Sequence, residues 1–201
     1  MSDTAPVADD DAELLRRSAA GDTSAFDDIV TRHERAVFRF VQTLGGDDPD
    51  DVLQDTFIAA WKGAGSYQGV GSVRSWLLSV ARNVHRHHQR RRVDAPREFL
   101  PLDVLAERAG WGCDPAEARR VDVALARDVL EHALAELPHE EREVLVLREL
   151  EGLSGDETAQ VLQLTLPAMK SRLHRARLHL AAVVRQLEHV HPTSGSHHVS
   201  T

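Results

Sequence analysis

Lys170, Arg172, Arg175 and Arg177 fall in one short stretch, with Ser171 and His174 between them. Guanidinium and ammonium groups at this spacing can hold phosphate oxygens, and arginine can also read guanine through two parallel hydrogen bonds. The same stretch carries Leu166, Met169, Leu173, Ala176 and Leu180, which step by three and four and form one apolar stripe. A helix so built buries its stripe and turns its basic faces outward. From these residues alone, an ordinary amphipathic helix with a solvated basic face is the alternative. A second basic stretch, residues 62–92, holds seven Lys and Arg and no Asp or Glu. It begins with a loop rich in glycine (Gly63, Gly65, Gly69, Gly71) around Tyr67 and ends in Arg90, Arg91 and Arg92. A mobile loop beside a basic helix suits unstacked single-stranded bases. A hinge loop next to a solvated helix end is the plainer reading.

Other chemistries find less support. His85, His87 and His88 are close in sequence but stand among Arg82, Arg86 and Arg90, and like charge disfavours a cation there. His189, His191, His197 and His198 have no carboxylate or cysteine at ligand spacing, so no metal site is assigned. The sequence has no phosphate loop, nucleophile elbow or HExxH motif, and the lone Cys113 has no evident activating base. No enzyme activity, cofactor or small-molecule substrate is expected.

The elements that must position the basic groups can be read from local signals. A helix is expected from about Asp11 to Ala20, ended by Gly21, and another from about Ser24 to Leu44, stopped by Gly45 and Gly46. Asp48 suits an N-cap, Pro49 the first helical position, and Asp50 and Asp51 the positive end of the dipole. That helix carries Val52, Phe57, Ile58 and Trp61. Ser72 begins a helix through Trp76, Leu77, Val80, Ala81 and Val84 into the basic run. Residues 93–117 contain Pro96, Pro101, Gly110, Gly112 and Pro115 and read as a linker. Val121, Leu125, Val129, Leu130 and Leu134 predict a helix closing at Leu137-Pro138, and the next is expected over 139–150. Ser154 and Glu157 fit a capping box, opening a short helix through Ala159, Val161 and Leu162. A break at Gln163-Leu164-Thr165 separates it from the basic helix. Two short helices at this spacing match a helix-turn-helix whose second helix enters the DNA major groove.

The whole chain has 201 residues, 42% hydrophobic but only 4% aromatic, and a net charge of −8. Its bulk is Leu, Val and Ala, which favours helices over sheets. The length allows one domain or two small ones. The fold class expected is all-α: two small helical domains, 11–92 and 118–187, joined by a flexible linker over 93–117. Residues 1–10 and the His-rich tail 188–201 are expected to be disordered. One cysteine excludes a disulfide framework. No run of apolar residues is long enough to span a membrane, and the acidic start is no signal peptide, so a cytoplasmic protein is expected. Two basic islands in an acidic chain suggest two contacts with polyanions and acidic surface for a protein partner.

Taken in order, these residues resemble the extracytoplasmic-function sigma factors, the small promoter-recognition subunits of bacterial RNA polymerase. Asp50-Asp51, Gln54-Asp55, Phe57 and Trp61 are similar to the family's core-binding helix. Ser75-Trp76-Leu77-Leu78 and Ala81-Arg82-Asn83, followed by the arginine run, are similar to its promoter-melting helix. Leu137-Pro138, Glu141-Arg142-Glu143-Val144 and Leu147-Arg148-Glu149 resemble the helices leading into its helix-turn-helix. Leu153-Ser154, Glu157, Ala159 and the run from Lys170 to Arg177 resemble that motif itself. The resemblance covers about residues 11–92 and 118–187. It implies a region 2-like bundle and a region 4-like helix-turn-helix. It also implies that Asp51, Gln54, Asp55 and Trp61 lie on or beneath the surface that grips core RNA polymerase. A loop containing Ser66, Tyr67 and Gln68 would hold a flipped base of the −10 element. Arg74, Arg82, Asn83 and Arg86 would line the non-template strand. Lys170, Ser171, Arg172, His174 and Arg175 would contact the −35 element. Promoter DNA, core polymerase and an anti-sigma factor are the partners implied.

Three places depart from the family pattern. Gln163 stands where glycine is usual, and a left-handed backbone there would cost about 1 kcal/mol. Pro167-Ala168-Met169 replaces a usual Gly-Thr-Val. Thr158 puts a hydroxyl where an apolar group is expected. Two other readings stay open from the residues: a stand-alone helix-turn-helix regulator with an N-terminal sensor or dimerisation domain, and a histidine-based metalloenzyme or metal sensor.

Overall fold

The computed structural model describes residues 7–46, 48–91, 130 and 132–190. Among these residues there are helices and no strand. Helix α1 (Val7–Ala19) starts ahead of the expected Asp11, with Asp10 and Asp11 both paired to Arg32, at 2.6 and 2.7 Å. Gly21 follows it in the left-handed region, φ 97°.

Helix α2 (Thr23–Leu44) begins under Asp22, whose carboxylate accepts from the Ala25 N–H at 3.2 Å, and ends at Gly45 and Gly46. Helix α3 (Pro49–Gly63) starts as the sequence predicts: Asp48 accepts from the Asp50 N–H at 3.0 Å and Pro49 takes the first turn. A single 3₁₀ turn (Ala64–Ser66) leads into the glycine loop, and α4 (Val73–Arg91) follows. The linker 93–117 and residues 191–201 of the expected 188–201 tail lie outside the described residues, as does most of the helix expected from Val121, while residues 188–190 are helical. Residues 132–136 are helical, and the chain turns at Leu137-Pro138 as expected. Helix α5 (His139–Leu145) is shorter than the expected 139–150. Its continuation, Val146–Leu150, winds as a π turn, with the Glu151 N–H donating to the Val146 carbonyl at 2.8 Å. The wider turn leaves both Leu147 and Glu151 facing inward, at 0% and 2% exposure.

Helix α6 (Gly155–Leu162) carries the expected capping box in full: the Glu157 N–H donates to Ser154 Oγ at 3.2 Å and the Ser154 N–H to Glu157 Oε2 at 2.9 Å. It ends at Gln163 in the left-handed conformation, φ 57° and ψ 45°. The long α7 (Leu166–Val190) then runs to the end of the described chain.

Helices α1 to α4 pack on one another around Leu15, Ile29, Val37, Phe40, Val52, Leu77 and Leu78, all fully buried or nearly so. Burying each such side chain contributes about 1.5–3 kcal/mol before chain entropy is charged against it. Phe26 closes the side of this bundle, edge-on to Trp61 at 5.0 Å. Helices α5 to α7 pack around Val144, Leu147, Leu162, Met169, Leu173 and Ala176. The two groups of helices share one continuous core, with α2 lying against α5 and the π turn, and α4 against α6.

Candidate nucleic-acid interface

Three surfaces carry the residues singled out by sequence. On α3, Asp51, Gln54 and Asp55 are exposed and lie on one face, because positions three and four apart stack along a helix. Ile58 continues that face and is 44% exposed, an apolar group in the middle of polar ones. Sequence reasoning placed Ile58 inside the helix without assigning it a role, although its spacing from Asp51, Gln54 and Asp55 is the signal that could have found it. Asp55 Oδ2 meets His88 Nε2 at 2.7 Å, so this face abuts the basic end of α4. Trp61 is half-buried beneath it, held by Phe26.

The glycine loop stands next to α4. Tyr67 is half-buried, its ring 6.0 Å from Trp76 and its hydroxyl donating to the Gly71 carbonyl at 2.7 Å. Burial, helped by the negative charges of Glu157 and Asp11, pushes the phenol above its ordinary range, so it stays a neutral donor. Ser66 and Gln68 are exposed. Gly71 has φ 73° and a Cβ there would sit 2.9 Å from Ser75 Oγ, so the loop needs glycine at this point.

Along α4 the predicted strand-binding residues divide. Asn83 is exposed. Arg74, Arg82 and Arg86 instead reach across to the C-terminal helices. Arg82 donates through Nε and Nη2 to Glu143 at 2.9 and 3.4 Å. Arg74 donates to Glu151, which also takes two bonds from Arg39 at 2.9 and 3.2 Å. Arg86 donates to Gln163 Oε1 at 3.0 Å. Ser72 donates to Glu157 through both its backbone N–H, at 3.0 Å, and its hydroxyl, at 2.6 Å. Burial pushes the Glu157 carboxyl up, but the bonds from Ser72 and Ser154 outweigh it and hold it at about 2. The side chains of Glu143 and Glu151 are 2% and 0% exposed. None of these pairings was legible locally, since each joins residues far apart in the chain.

Beside this contact lies a cavity of about 800 Å³ between α4 and the α5–α7 group. Arg82, Arg86, Arg90, Arg142 and Arg172 contribute to its wall, with Glu140 and Glu143 opposing them. His85 and His139, also in the wall, stack with ring centres 6.3 Å apart. Among the described residues no cluster of His, Cys, Asp or Glu is placed to hold a metal ion.

On α7, Lys170, Ser171, His174 and Arg175 are exposed together, while Met169, Leu173 and Ala176 are buried on the opposite side. Arg172 stands apart from the other predicted contacts: its side chain is 17% exposed and pairs with Glu140 at 2.9 Å. Arg177 pairs with Glu149 at 2.5 Å. The turn before α7 is formed despite the missing glycine, with Gln163 left-handed and Leu164 N–H bonded to the Ala159 carbonyl at 2.9 Å. Thr158 is fully buried, and its hydroxyl donates to the Ser154 carbonyl at 2.8 Å, which satisfies the polar group the sequence put there.

Comparison with known proteins bears on both halves. Residues 29–94 match the family described as Sigma-70 region 2, and residues 127–180 match Sigma-70, region 4. The chain is 34% identical over 179 residues to the ECF RNA polymerase sigma factor SigM of Mycobacterium tuberculosis, covering 88% of this chain and 86% of that protein. It is 34% identical over 184 residues to the RNA polymerase sigma factor CnrH of Cupriavidus metallidurans, covering 88% and 95%. The solved structure of CnrH in complex with the cytosolic domain of CnrY superposes with a TM-score of 0.63 at 30% identity, over 88% of this chain and 98% of that one.

Proposed function

This chain belongs to the extracytoplasmic-function sigma factors, which give RNA polymerase its promoter recognition and start transcription, and we propose how its own residues divide that work. The N-terminal unit, 11–92, docks on core polymerase and handles the −10 element. The C-terminal unit, 118–187, reads the −35 element, and 93–117 links them. The face of α3 bearing Asp51, Gln54, Asp55 and Ile58 meets the polymerase, with Trp61 supporting it from beneath. Ser66, Tyr67 and Gln68 shape a loop for an unstacked base, and Arg74, Arg82, Asn83 and Arg86 follow the strand leaving it. Lys170, Ser171, His174 and Arg175 enter the major groove. Arg172, drawn inward to Glu140, anchors α7 more than it reads bases.

One observation carries the reading: α7 turns four adjacent polar and basic side chains to solvent directly behind a left-handed turn and a capped helix. That is the geometry a major-groove helix needs. The work is done by binding alone, through phosphate contacts and capture of bases, with no bond made or broken by the protein, and in the cytoplasm. An anti-sigma factor is a fitting partner, because the solved relative was captured with a cytosolic protein domain bound.

Run-off transcription with bacterial core polymerase tests the division of labour. Lys170→Ala with His174→Ala should weaken promoter binding by about 10- to 100-fold with core binding intact. Loss of core binding in that variant would show the faces to be misassigned.

A further inference from the structure

The cavity of about 800 Å³ carries more positive charge than the residues around it neutralise. Among the described residues its wall holds five guanidinium groups, from Arg82, Arg86, Arg90, Arg142 and Arg172, and two carboxylates, from Glu140 and Glu143. Both carboxylates are taken, Glu143 by Arg82 at 2.9 Å and Glu140 by Arg172 at 2.9 Å. The other three arginines have no such partner. Arg86 donates to the Gln163 amide oxygen. Arg142 donates to the carbonyls of Leu134, Ala135 and Leu137 at 2.8, 2.8 and 3.1 Å, which are neutral acceptors. Arg90 is exposed and meets no carboxylate among the described residues.

Two of these groups bear the cost of that excess. Arg82 Nη1 is buried without a hydrogen-bond partner. Burial pushes the Arg142 guanidinium below its ordinary range, because its charged form has lost water and no opposite charge replaces it. A buried donor or charge in this state costs free energy that a bound anion would return. The volume suits a small molecule, since such sites span roughly 300–1,000 Å³. Each guanidinium fork matches two phosphate oxygens at once. Several forks on one wall suit several phosphate groups, whereas a single carboxylate would leave most of the excess standing. Leu137, Leu162 and Leu164 give the same wall an apolar part.

We propose that this cavity is a binding site for a small anion with two or more linked phosphate groups, held by Arg86, Arg90 and Arg142. A nucleoside polyphosphate and an inorganic phosphate chain share this chemistry. A nucleotide would in addition lay its base against Leu137, Leu162 and Leu164. The inference rests on none of the contacts given to α3 or to the exposed face of α7.

The test is calorimetric titration of the full chain with sodium tripolyphosphate, at about 0.15 M salt and without divalent metal. The native chain should bind a single tripolyphosphate, about tenfold or more tightly than sulfate, because one tetrahedral anion reaches fewer arginines. Arg86→Gln with Arg90→Gln should weaken binding about tenfold or more, through the loss of charge-assisted hydrogen bonds. Lys170→Gln with Arg175→Gln removes the same charge from the exposed face of α7 and should change affinity by about twofold or less, since salt screens distant charges. Lack of saturable binding, equal affinity for sulfate, unchanged affinity in the cavity variant, or an equal loss in the α7 variant would overturn the site. If the cavity variant loses helical content, Arg90→Gln alone carries the test. It should weaken binding about threefold, and an unchanged affinity would overturn the site. ATP and GTP then identify the source. About tenfold tighter binding than tripolyphosphate assigns the site to nucleotides through burial of the base. No gain over tripolyphosphate assigns it to the phosphate chain itself, and either result upholds the site.

Discussion

Gln163 shows how a single side chain records a constraint. A left-handed backbone costs a residue with a Cβ about 1 kcal/mol, yet the turn between α6 and α7 needs it. The Gln163 side chain also accepts a bond from Arg86 in the other unit, which glycine could not do. A β-branched residue would tolerate the backbone least, so Gln163→Val should lose about 1–2 kcal/mol of stability in chemical denaturation. His33 gives a pH dependence. Burial pushes its imidazole below the ordinary 6.5, against the opposing pull of Asp11, 2.9 Å away. A histidine with a depressed value in the folded state contributes full stability above 6.5, and loses that contribution as the pH falls below it. Unfolding free energy measured at pH 7.5 and 5.5 should therefore fall more in the native chain than in His33→Gln. Equal slopes would mean His33 is not held neutral by burial.

At the scale of the element, most of what the sequence offered was local and most of it was legible. Asp48-Pro49, the Ser154–Glu157 box and the paired Gly45-Gly46 each set a helix end through atoms within four residues of one another. The stripe of α7 was equally plain, because a period near 3.6 needs only the helix itself. Met169→Ala, at a position 1% exposed in that stripe, should cost about 2–5 kcal/mol and lower the melting temperature without touching the exposed basic face. The π turn at Val146–Leu150 was not legible, since no residue type marks an extra residue in a turn. Its consequence is large: it helps turn Glu151 inward toward Arg39 and Arg74. Nothing local marks Glu143 as buried; it becomes a buried partner because Arg82, distant in the chain, meets it.

At the scale of the whole molecule, the two units share a core and a set of charged bonds that join residues distant in the chain. Sequence patterns gave each unit but not their embrace, because contacts of this range leave no local period. The same asymmetry governs the surfaces. The α3 face and the α7 face look outward, whereas Arg74 and Arg82 of α4 turn inward to Glu151 and Glu143. The claim under all of this is that α3 presents the docking face of a sigma factor. It is tested most directly by gel filtration of the chain, and of its Asp51→Arg variant, with bacterial core RNA polymerase. The native chain should co-elute with core, and the variant, folded to the same helical content, should lose about 10- to 100-fold in affinity, as a reversed charge in a complementary interface does. If neither binds core while the chain alone shifts duplex DNA, the docking face is misread and the molecule works as a free-standing helix-turn-helix regulator.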